Sequence, residues 1–316
     1  MKEEKTMNKK DIRQLPISDT DVVKVIPTKR NVDIRYTLKT DSEPAGSLNS
    51  VRKESQPVKR LTKETYLDPT TNSVRTYRQK EKRTENESTF YRTKRELNWL
   101  ILNSFEGKEN ELFITLTYKE QMQDYEMLGK DFRNFMRRLS RHFKKEIDFD
   151  YIVVKEPHLS GSWHMHVLMK YSKNTDSASL PSSNREWTEL ITEKWKKGIV
   201  HISPITEVNQ LAVYLTRHLM DIAIDDNGEE IELFADSLSP KSLAKNKRLE
   251  LYPQHLKIYS YSKRIEKPRN LHMTYAECKE RYGERYEKNW DNSMLLFDDH
   301  FALQQRHIQL TLKEYL

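Results

Sequence analysis

Residues 150–171 have the sequence DYIVVKEPHLSGSWHMHVLMKY, in which two runs of β-branched, aromatic and other apolar residues flank a turn-like segment at 157–162. Runs of this composition favour β-strands, and so short a link favours an antiparallel hairpin. Alternate side chains of a strand share one face, so His164 and His166 are predicted to point the same way. The sequence therefore predicts an antiparallel sheet with two histidines on one of its faces.

Apolar runs and helical periodicities continue on both sides of this hairpin. Before it, a helix is predicted in FYRTKRELNWLILNSF, a strand in ELFITLTY, and then an amphipathic helix. After it come a helix in REWTELITEKWKK, a strand in GIVHIS, a helix that begins near Thr206 and a strand in HLKIYSYS. Residues 222–250 are interpreted as an insertion hairpin. The order predicts an α+β fold, an antiparallel β-sheet with helices packed on one face.

The positive charge is concentrated near the N-terminus. Residues 1–95 contain 23 Lys plus Arg and 14 Asp plus Glu, whereas the rest of the chain has 32 and 34. Residues 1–85 are therefore predicted to be a basic, largely flexible region, which either binds a polyanion or keeps the protein in solution. Residues 86–270 are predicted to form the folded catalytic domain. The charged, helix-like pattern of 271–316 predicts a helical C-terminal extension.

Several protein classes are excluded by motifs that the chain lacks. None of its 7 glycines stands in a dinucleotide-binding or P-loop pattern, and the single cysteine, Cys278, excludes an intramolecular disulfide framework and a thiolate zinc cluster. The sequence has no apolar run of about 18 residues and no apolar segment after its first residues. These features predict a cytoplasmic protein without a membrane partner.

The segment that holds the two histidines also offers a third metal ligand. Glu156 lies on the partner strand of the hairpin, where it is predicted to share a face with His164 and His166. Two imidazoles and one carboxylate suit a divalent cation that must also bind a phosphate oxygen and water. The alternative is a pair of half-buried strand histidines with no metal. His158, in the turn, is a spare candidate ligand that is expected to be solvated.

A second chemical motif lies in the predicted helix that begins near Thr206. Tyr214, Arg217 and His218 are predicted to form a stripe beside its apolar face. A tyrosine hydroxyl can attack phosphorus to form a covalent intermediate, and a cation one turn away favours its ionised form. The alternative is an ordinary boundary tyrosine beside a surface arginine.

The amphipathic helix before the hairpin has a basic outer face, formed by Arg133, Arg137, Arg141 and Lys144. Such a face, together with nearby aromatic side chains, is predicted to hold a nucleic-acid backbone. A merely solvated helix surface is the alternative interpretation.

Three stretches in this order resemble the HUH endonuclease superfamily, and within it the rolling-circle replication initiator (Rep) proteins of plasmids and phages. They are FITLTY (113–118), EPHLSGSWHMHVLM (156–169) and VYLTRHL (213–219). The later segment YPQHLKIYSYSKRIEKP is similar to one that follows the catalytic core in bacterial and phage members. The resemblance covers about residues 90–270 and implies the HUH/RRM-like sandwich fold.

The resemblance also implies roles for individual residues. It makes His164 and His166 metal ligands, Glu156 the third ligand of Mg²⁺ or Mn²⁺, and Tyr214 the nucleophile. The family usually has lysine three residues after the tyrosine, but this chain has Arg217, which favours an electrostatic role because arginine does not lose its proton. His218 occupies the place of a second tyrosine, which implies a single-tyrosine enzyme.

The expected function is that of a rolling-circle replication initiator. Such an enzyme nicks single-stranded or extruded origin DNA and transfers the strand through a 5′-phosphotyrosyl intermediate. Its expected partners are origin DNA, a host helicase and a host polymerase in a bacterial cytoplasm. A relaxase or single-tyrosine transposase with the same chemistry is one alternative. A nucleic-acid-binding module without catalysis is another.

Overall fold

The computed structural model describes residues 14–40, 59–62, 65–68, 72–76, 87–175, 179–219, 221–224, 242–244, 247–298 and 301–315. The strands are β1 (Val22–Pro27), β2 (Asn31–Thr40), β3 (Lys59–Arg60), β4 (Thr65–Asp68), β5 (Ser73–Thr76), β6 (Glu111–Leu116), β7 (Ile147–Pro157), β8 (Trp163–Lys173), β9 (Val200–Pro204), β10 (Ile222–Ile224), β11 (Ser242–Ala244), β12 (Tyr259–Tyr261), β13 (Leu271–Thr274), β14 (Tyr286–Asp298) and β15 (Phe301–Leu312). The helices are α1 (Glu87–Ser104), α2 (Tyr125–His142), α3 (Asn184–Trp195), α4 (Val208–His218), α5 (Lys247–Leu251) and α6 (Tyr275–Tyr282). Across these ranges no helix combines the length and the apolar character needed to cross a membrane.

The chain divides into two compact units. The central unit comprises Thr28–Arg30 and Lys82–Pro268, and the terminal unit comprises Met1–Pro27, Asn31–Glu81 and Arg269–Leu316. The two ends of the chain, which the sequence analysis separates into two regions, therefore belong to one unit.

The sheet of the central unit has five antiparallel strands in the order β12-β7-β8-β6-β9. Strands β7 and β8 form the predicted hairpin, in which Glu156 pairs with His164 and Val154 with His166. Directly paired residues of antiparallel strands lie on the same face. The register thus places the carboxylate and both imidazoles on one face, called here the histidine face.

Helices pack on both faces of this sheet. On the histidine face, Tyr214 of α4 meets Phe113 of β6 edge-on, with ring centroids 6.4 Å apart. On the opposite face, Phe132 of α2 meets Tyr151 of β7 edge-on at 4.9 Å. The α+β class is confirmed, but the expectation that helices cover only one face is wrong. Every side chain of β6 is buried, so both faces of the sheet need a cover of helices.

The sheet of the terminal unit also has five antiparallel strands, in the order β13-β1-β2-β15-β14. Its core contains Val23 and Val25 of β1, Ile34 of β2 and Ile308 of β15. The described part of the predicted flexible arm thus contains two strands of a sheet. Much of that arm, including residues 1–13, 41–58 and 77–85, lies outside the described residues.

The C-terminal region differs from the predicted helical extension. It contains one eight-residue helix, α6, which begins with a capping box between Thr274 and Glu277, followed by the long strands β14 and β15. Ile308, Leu310 and Leu312 recur at a period of two, the repeat of a strand. β15 pairs with its neighbour β14 and also with β2, more than 250 residues away in sequence, and no local pattern identifies so distant a partner.

Two small sheets complete the described structure. Strands β10 and β11 pair antiparallel inside the segment predicted to be an insertion hairpin, and residues 225–241 between them lie outside the described ranges. Strands β3, β4 and β5 form the other small sheet.

Candidate metal centre

Three predicted ligands converge on the histidine face. Glu156 Oε2 lies 2.9 Å from His166 Nε2 and 3.7 Å from His164 Nε2, and the two imidazole nitrogens are 3.0 Å apart. All three residues are buried. The structure thus brings together the residues that the sequence places on one face, although their role as metal ligands stays a prediction.

The separations and chemistry of these atoms fit a divalent cation. Adjacent ligands of an octahedral Mg²⁺ site with bonds near 2.1 Å are about 3.0 Å apart, close to two of the three observed separations. The His164 Nδ1 atom is buried without a hydrogen-bond partner within the described part of the chain, so its imidazole is not committed to a second protein group. Two nitrogens and one carboxylate oxygen leave the other coordination positions open for substrate and water.

The electrostatics favour the protonation states in which Glu156 and His164 could bind a metal ion. Burial by itself raises the pKa of Glu156, but the positive charge of Arg248, with smaller contributions from His166 and His164, outweighs it and holds that pKa well below its usual range. Burial lowers the pKa of His164 to about 4, although Glu156 acts in the opposite direction. An ionised carboxylate and a neutral imidazole are the forms that coordinate a cation.

Two residues that the sequence analysis did not single out contact His166, one of the predicted ligands. Thr115 Oγ1 of β6 lies 3.1 Å from His166 Nδ1, and the tautomer in which Nδ1 donates to this hydroxyl leaves Nε2 free for a cation. Phe113 stacks on the His166 ring at 5.5 Å. Phe113 and Thr115 are two positions apart on β6, in the ELFITLTY segment, and therefore lie on the same face of the sheet. This period of two is the sequence signal that could have identified them.

Helix α4, which carries Tyr214, packs on the histidine face. The Tyr214 ring is buried and contacts both Phe113 and His218, the latter at 4.3 Å between ring centroids. Phe113 also stacks on His166, so the Phe113 ring lies in contact with both Tyr214 and one of the predicted metal ligands. The predicted nucleophile and the predicted metal ligands therefore lie on the same side of the sheet.

Two helices contribute cations near the C-terminal end of α4. Arg217 is exposed on α4. Burial lowers the pKa of the buried His218 against the effect of Glu156, and the charges of Arg248 and Arg217 add smaller effects in the same direction as burial. Lys94 of α1 lies within electrostatic range of Arg217 and Asp221, and burial lowers its pKa. Sequence analysis missed Lys94 because no local pattern relates α1 to α4.

The predicted DNA-binding face lies elsewhere. Arg133, Arg137, Arg141 and Lys144 are all exposed, as predicted for the outer side of α2 and its C-terminal end. Because α2 packs on the opposite face of the sheet through Phe132, these cations are separated from the histidine face by the sheet itself. His158, the spare ligand, is half-buried rather than solvated, and its ring centroid lies 4.1 Å from that of His164.

The buried histidines predict a specific dependence of stability on pH. Burial lowers the pKa of His164 and of His218 to about 4, below the value of about 6.5 expected in the unfolded chain. Between these values the unfolded chain binds more protons, so the free energy of unfolding decreases as the pH falls from about 6.5 towards 4. At pH 5 we expect a loss on the order of 2 kcal/mol for each histidine.

Urea unfolding in EDTA at pH 7 and pH 5, followed by tryptophan fluorescence, measures this loss. The His218→Gln variant is expected to lose less stability between the two pH values, because one of the two titrating groups is gone. Equal unfolding midpoints at both pH values would contradict the prediction.

Comparison with known families gives a match over residues 111–221, to the family described as Replication-associated protein ORF2. No curated protein and no solved structure shows a significant match to the chain. The matched segment begins at β6 and ends just after α4, so it includes the metal-ligand cluster and Tyr214. The family match and the order of the sequence motifs agree, and together they support a Rep-type replication initiator family for residues 111–221.

Proposed function

We propose that the central unit is a metal-dependent DNA nickase and strand transferase that acts at a replication origin, forming a 5′-phosphotyrosyl intermediate through Tyr214. One observation carries this proposal. A buried cluster of one carboxylate and two imidazoles lies on the same face of the sheet as a tyrosine on the covering helix. A cation site and an oxygen nucleophile are the two groups that this reaction requires.

The cluster residues would hold the metal. Glu156, His164 and His166 would bind Mg²⁺ or Mn²⁺, which would polarise the scissile phosphodiester when bound. Thr115 fixes the orientation of the His166 ring, and Phe113 packs against that ring. These contacts hold the ligands in place before DNA arrives, which reduces the reorganisation that binding would otherwise cost.

Tyr214 would supply the attacking oxygen. A bond forms between its phenolic oxygen and phosphorus, the bond from phosphorus to the 3′ oxygen breaks, and the phenolic proton ends on the 3′-hydroxyl. Transfer to a second 3′-hydroxyl reverses these bond changes, so the energy of the phosphodiester is conserved. The free 3′-hydroxyl can prime a host polymerase, with unwinding by a host helicase.

Positive charge near Tyr214 would support this attack. Arg217 stays protonated, so it would stabilise the negative charge of the phosphate rather than accept a proton. Lys94, electrostatically linked to Arg217, would add to the same positive potential.

A direct test is to incubate the protein with labelled origin-strand oligonucleotides and Mn²⁺. We expect a protein–DNA adduct that survives denaturation and disappears in EDTA. Binding of the oligonucleotide without an adduct would favour a nucleic-acid-binding module without catalysis. An adduct of the same yield in EDTA would contradict the role of the metal.

The basic face of α2 gives a separate prediction on binding. If Arg133, Arg137 and Arg141 contact DNA phosphates, replacing all three with Gln should reduce the slope of log K against log[salt] by about 2 for single-stranded DNA, since each lost contact contributes about 0.7. Adduct yield at saturating oligonucleotide should be unchanged, because these side chains lie across the sheet from Tyr214.

A salt titration of oligonucleotide binding measures the slope. Replacing Arg264, an exposed arginine of the same unit that pairs with Asp148 and Asp150, with Gln is the control for general loss of charge. An unchanged slope in the triple variant would mean that this helix face is only solvated.

A further inference from the structure

A buried arginine from outside the family match contacts the proposed metal ligand. Arg248 of α5 is only 1% exposed, and its Nη1 lies 2.7 Å from Glu156 Oε1. The same nitrogen donates to the carbonyl oxygen of Pro157 at 2.6 Å, and Nε donates to that of Asp221 at 3.4 Å. One guanidinium therefore joins the end of β7, the polypeptide just after α4 and the carboxylate of Glu156.

The two oxygens of Glu156 have different partners. Oε1 forms the ion pair with Arg248, whereas Oε2 lies towards His164 and His166. A guanidinium beside one oxygen of a carboxylate makes that oxygen the poorer ligand, so a cation favours the other oxygen, and the contact also restricts rotation of the carboxylate. The guanidinium is itself held by two backbone carbonyls, so it cannot follow a rotation of the carboxylate.

We propose that Arg248 is a positioning residue that fixes Glu156 as a ligand through Oε2 alone. The proposal rests on the metal site of the proposed function and adds a residue from beyond residue 221, where the family match ends. The alternative is that Arg248 acts only through its positive charge. In that case Arg248 would repel a cation, and its removal would tighten metal binding. If Arg248 acts by positioning, its removal weakens metal binding. The two effects have opposite signs.

The probe is Mn²⁺ alone, whose binding to the full chain is measured by electron paramagnetic resonance without DNA. In Arg248→Met, which removes the charge and the donors, we expect the Kd for Mn²⁺ to rise about 10-fold to 100-fold, the usual effect of losing a group that orients a metal ligand. Arg248→Lys keeps the charge but loses the planar fork, and we expect a smaller rise.

A matched control is available on the opposite face of the sheet. Arg138 of α2 also donates to two backbone carbonyls, those of Lys194 and Trp195, at 2.6 and 3.0 Å. Arg138→Met should change the Kd for Mn²⁺ by less than about twofold, even if it lowers Tm. The contacts of Arg138 named here are to backbone carbonyls and not to a proposed metal ligand, and a residue changes metal affinity mainly by orienting a ligand. Circular dichroism and Tm separate a folding defect from a local one, and Arg248→Lys covers the case in which Arg248→Met does not fold.

Each outcome has a defined meaning. A higher Kd in the Arg248 variants with a normal Kd in Arg138→Met supports the positioning role. An unchanged or lower Kd in the Arg248 variants, with normal binding by the unmodified protein, overturns the positioning role alone. Absence of saturable Mn²⁺ binding to the unmodified protein overturns both this role and the metal site of the proposed function.

Discussion

The Tyr214→Phe variant is expected to form no covalent adduct with an origin-strand oligonucleotide, a loss of at least about 10³-fold in adduct yield. The substitution removes only the hydroxyl that would attack phosphorus. The ring contacts with Phe113 and His218 persist, so the fold and the affinity for DNA should stay close to those of the unmodified protein. Denaturing gel electrophoresis of a labelled oligonucleotide measures the adduct.

A tyrosine on the opposite face supplies the control. Tyr171 packs against Trp187 of α3, and Tyr171→Phe should form adduct at the normal rate. If Tyr214→Phe still forms adduct, another of the 16 tyrosines is the nucleophile and the role of α4 has been misassigned.

Replacing His164 and His166 together with Ala should also abolish adduct formation at every Mn²⁺ concentration. Only Glu156 would remain of the three proposed ligands, and Arg248 already holds one of its oxygens. Loss of two of three protein ligands leaves a site that cannot compete with water for a divalent cation. The yield of adduct against Mn²⁺ concentration, with EDTA as the zero point, measures the effect.

The exposed His272 of the terminal unit is a suitable control position. His272→Ala should leave the Mn²⁺ dependence unchanged. Normal adduct formation by the double variant, with its secondary structure intact, would show that the two imidazoles are structural groups of the sheet rather than ligands.

The architecture of the terminal unit limits how the basic N-terminal region can be studied. Deleting residues 1–85 would remove β1 and β2, which lie between β13 and β15 in a five-stranded sheet. Such a truncation leaves β15 with an unpaired edge, because only β14 remains beside it, and exposes the apolar core that contains Ile308. Charge substitutions that keep these strands therefore test DNA binding more cleanly than truncation.

Local sequence patterns were sufficient to predict the hairpin that carries the histidines and the helix that carries Tyr214. The period of two in WHMHVLM set the face of His164 and His166, and the short turn before it set the hairpin that brings Glu156 opposite His164. The helical period near Thr206 placed Tyr214 on a helix. These features depend on residues within about ten positions of one another, so periodicity and turn length are sufficient to predict them.

Contacts between distant segments were decided only by the tertiary structure. Arg248 reaches Glu156 across 92 residues of sequence, β2 pairs with β15 from the opposite end of the chain, and α2 lies on the face away from the histidines. Apolar stripes show that a helix or strand must be covered, but they do not name the segment that covers it. That choice depends on how all the elements bury their apolar surface together, because burial is non-directional and independent of sequence separation.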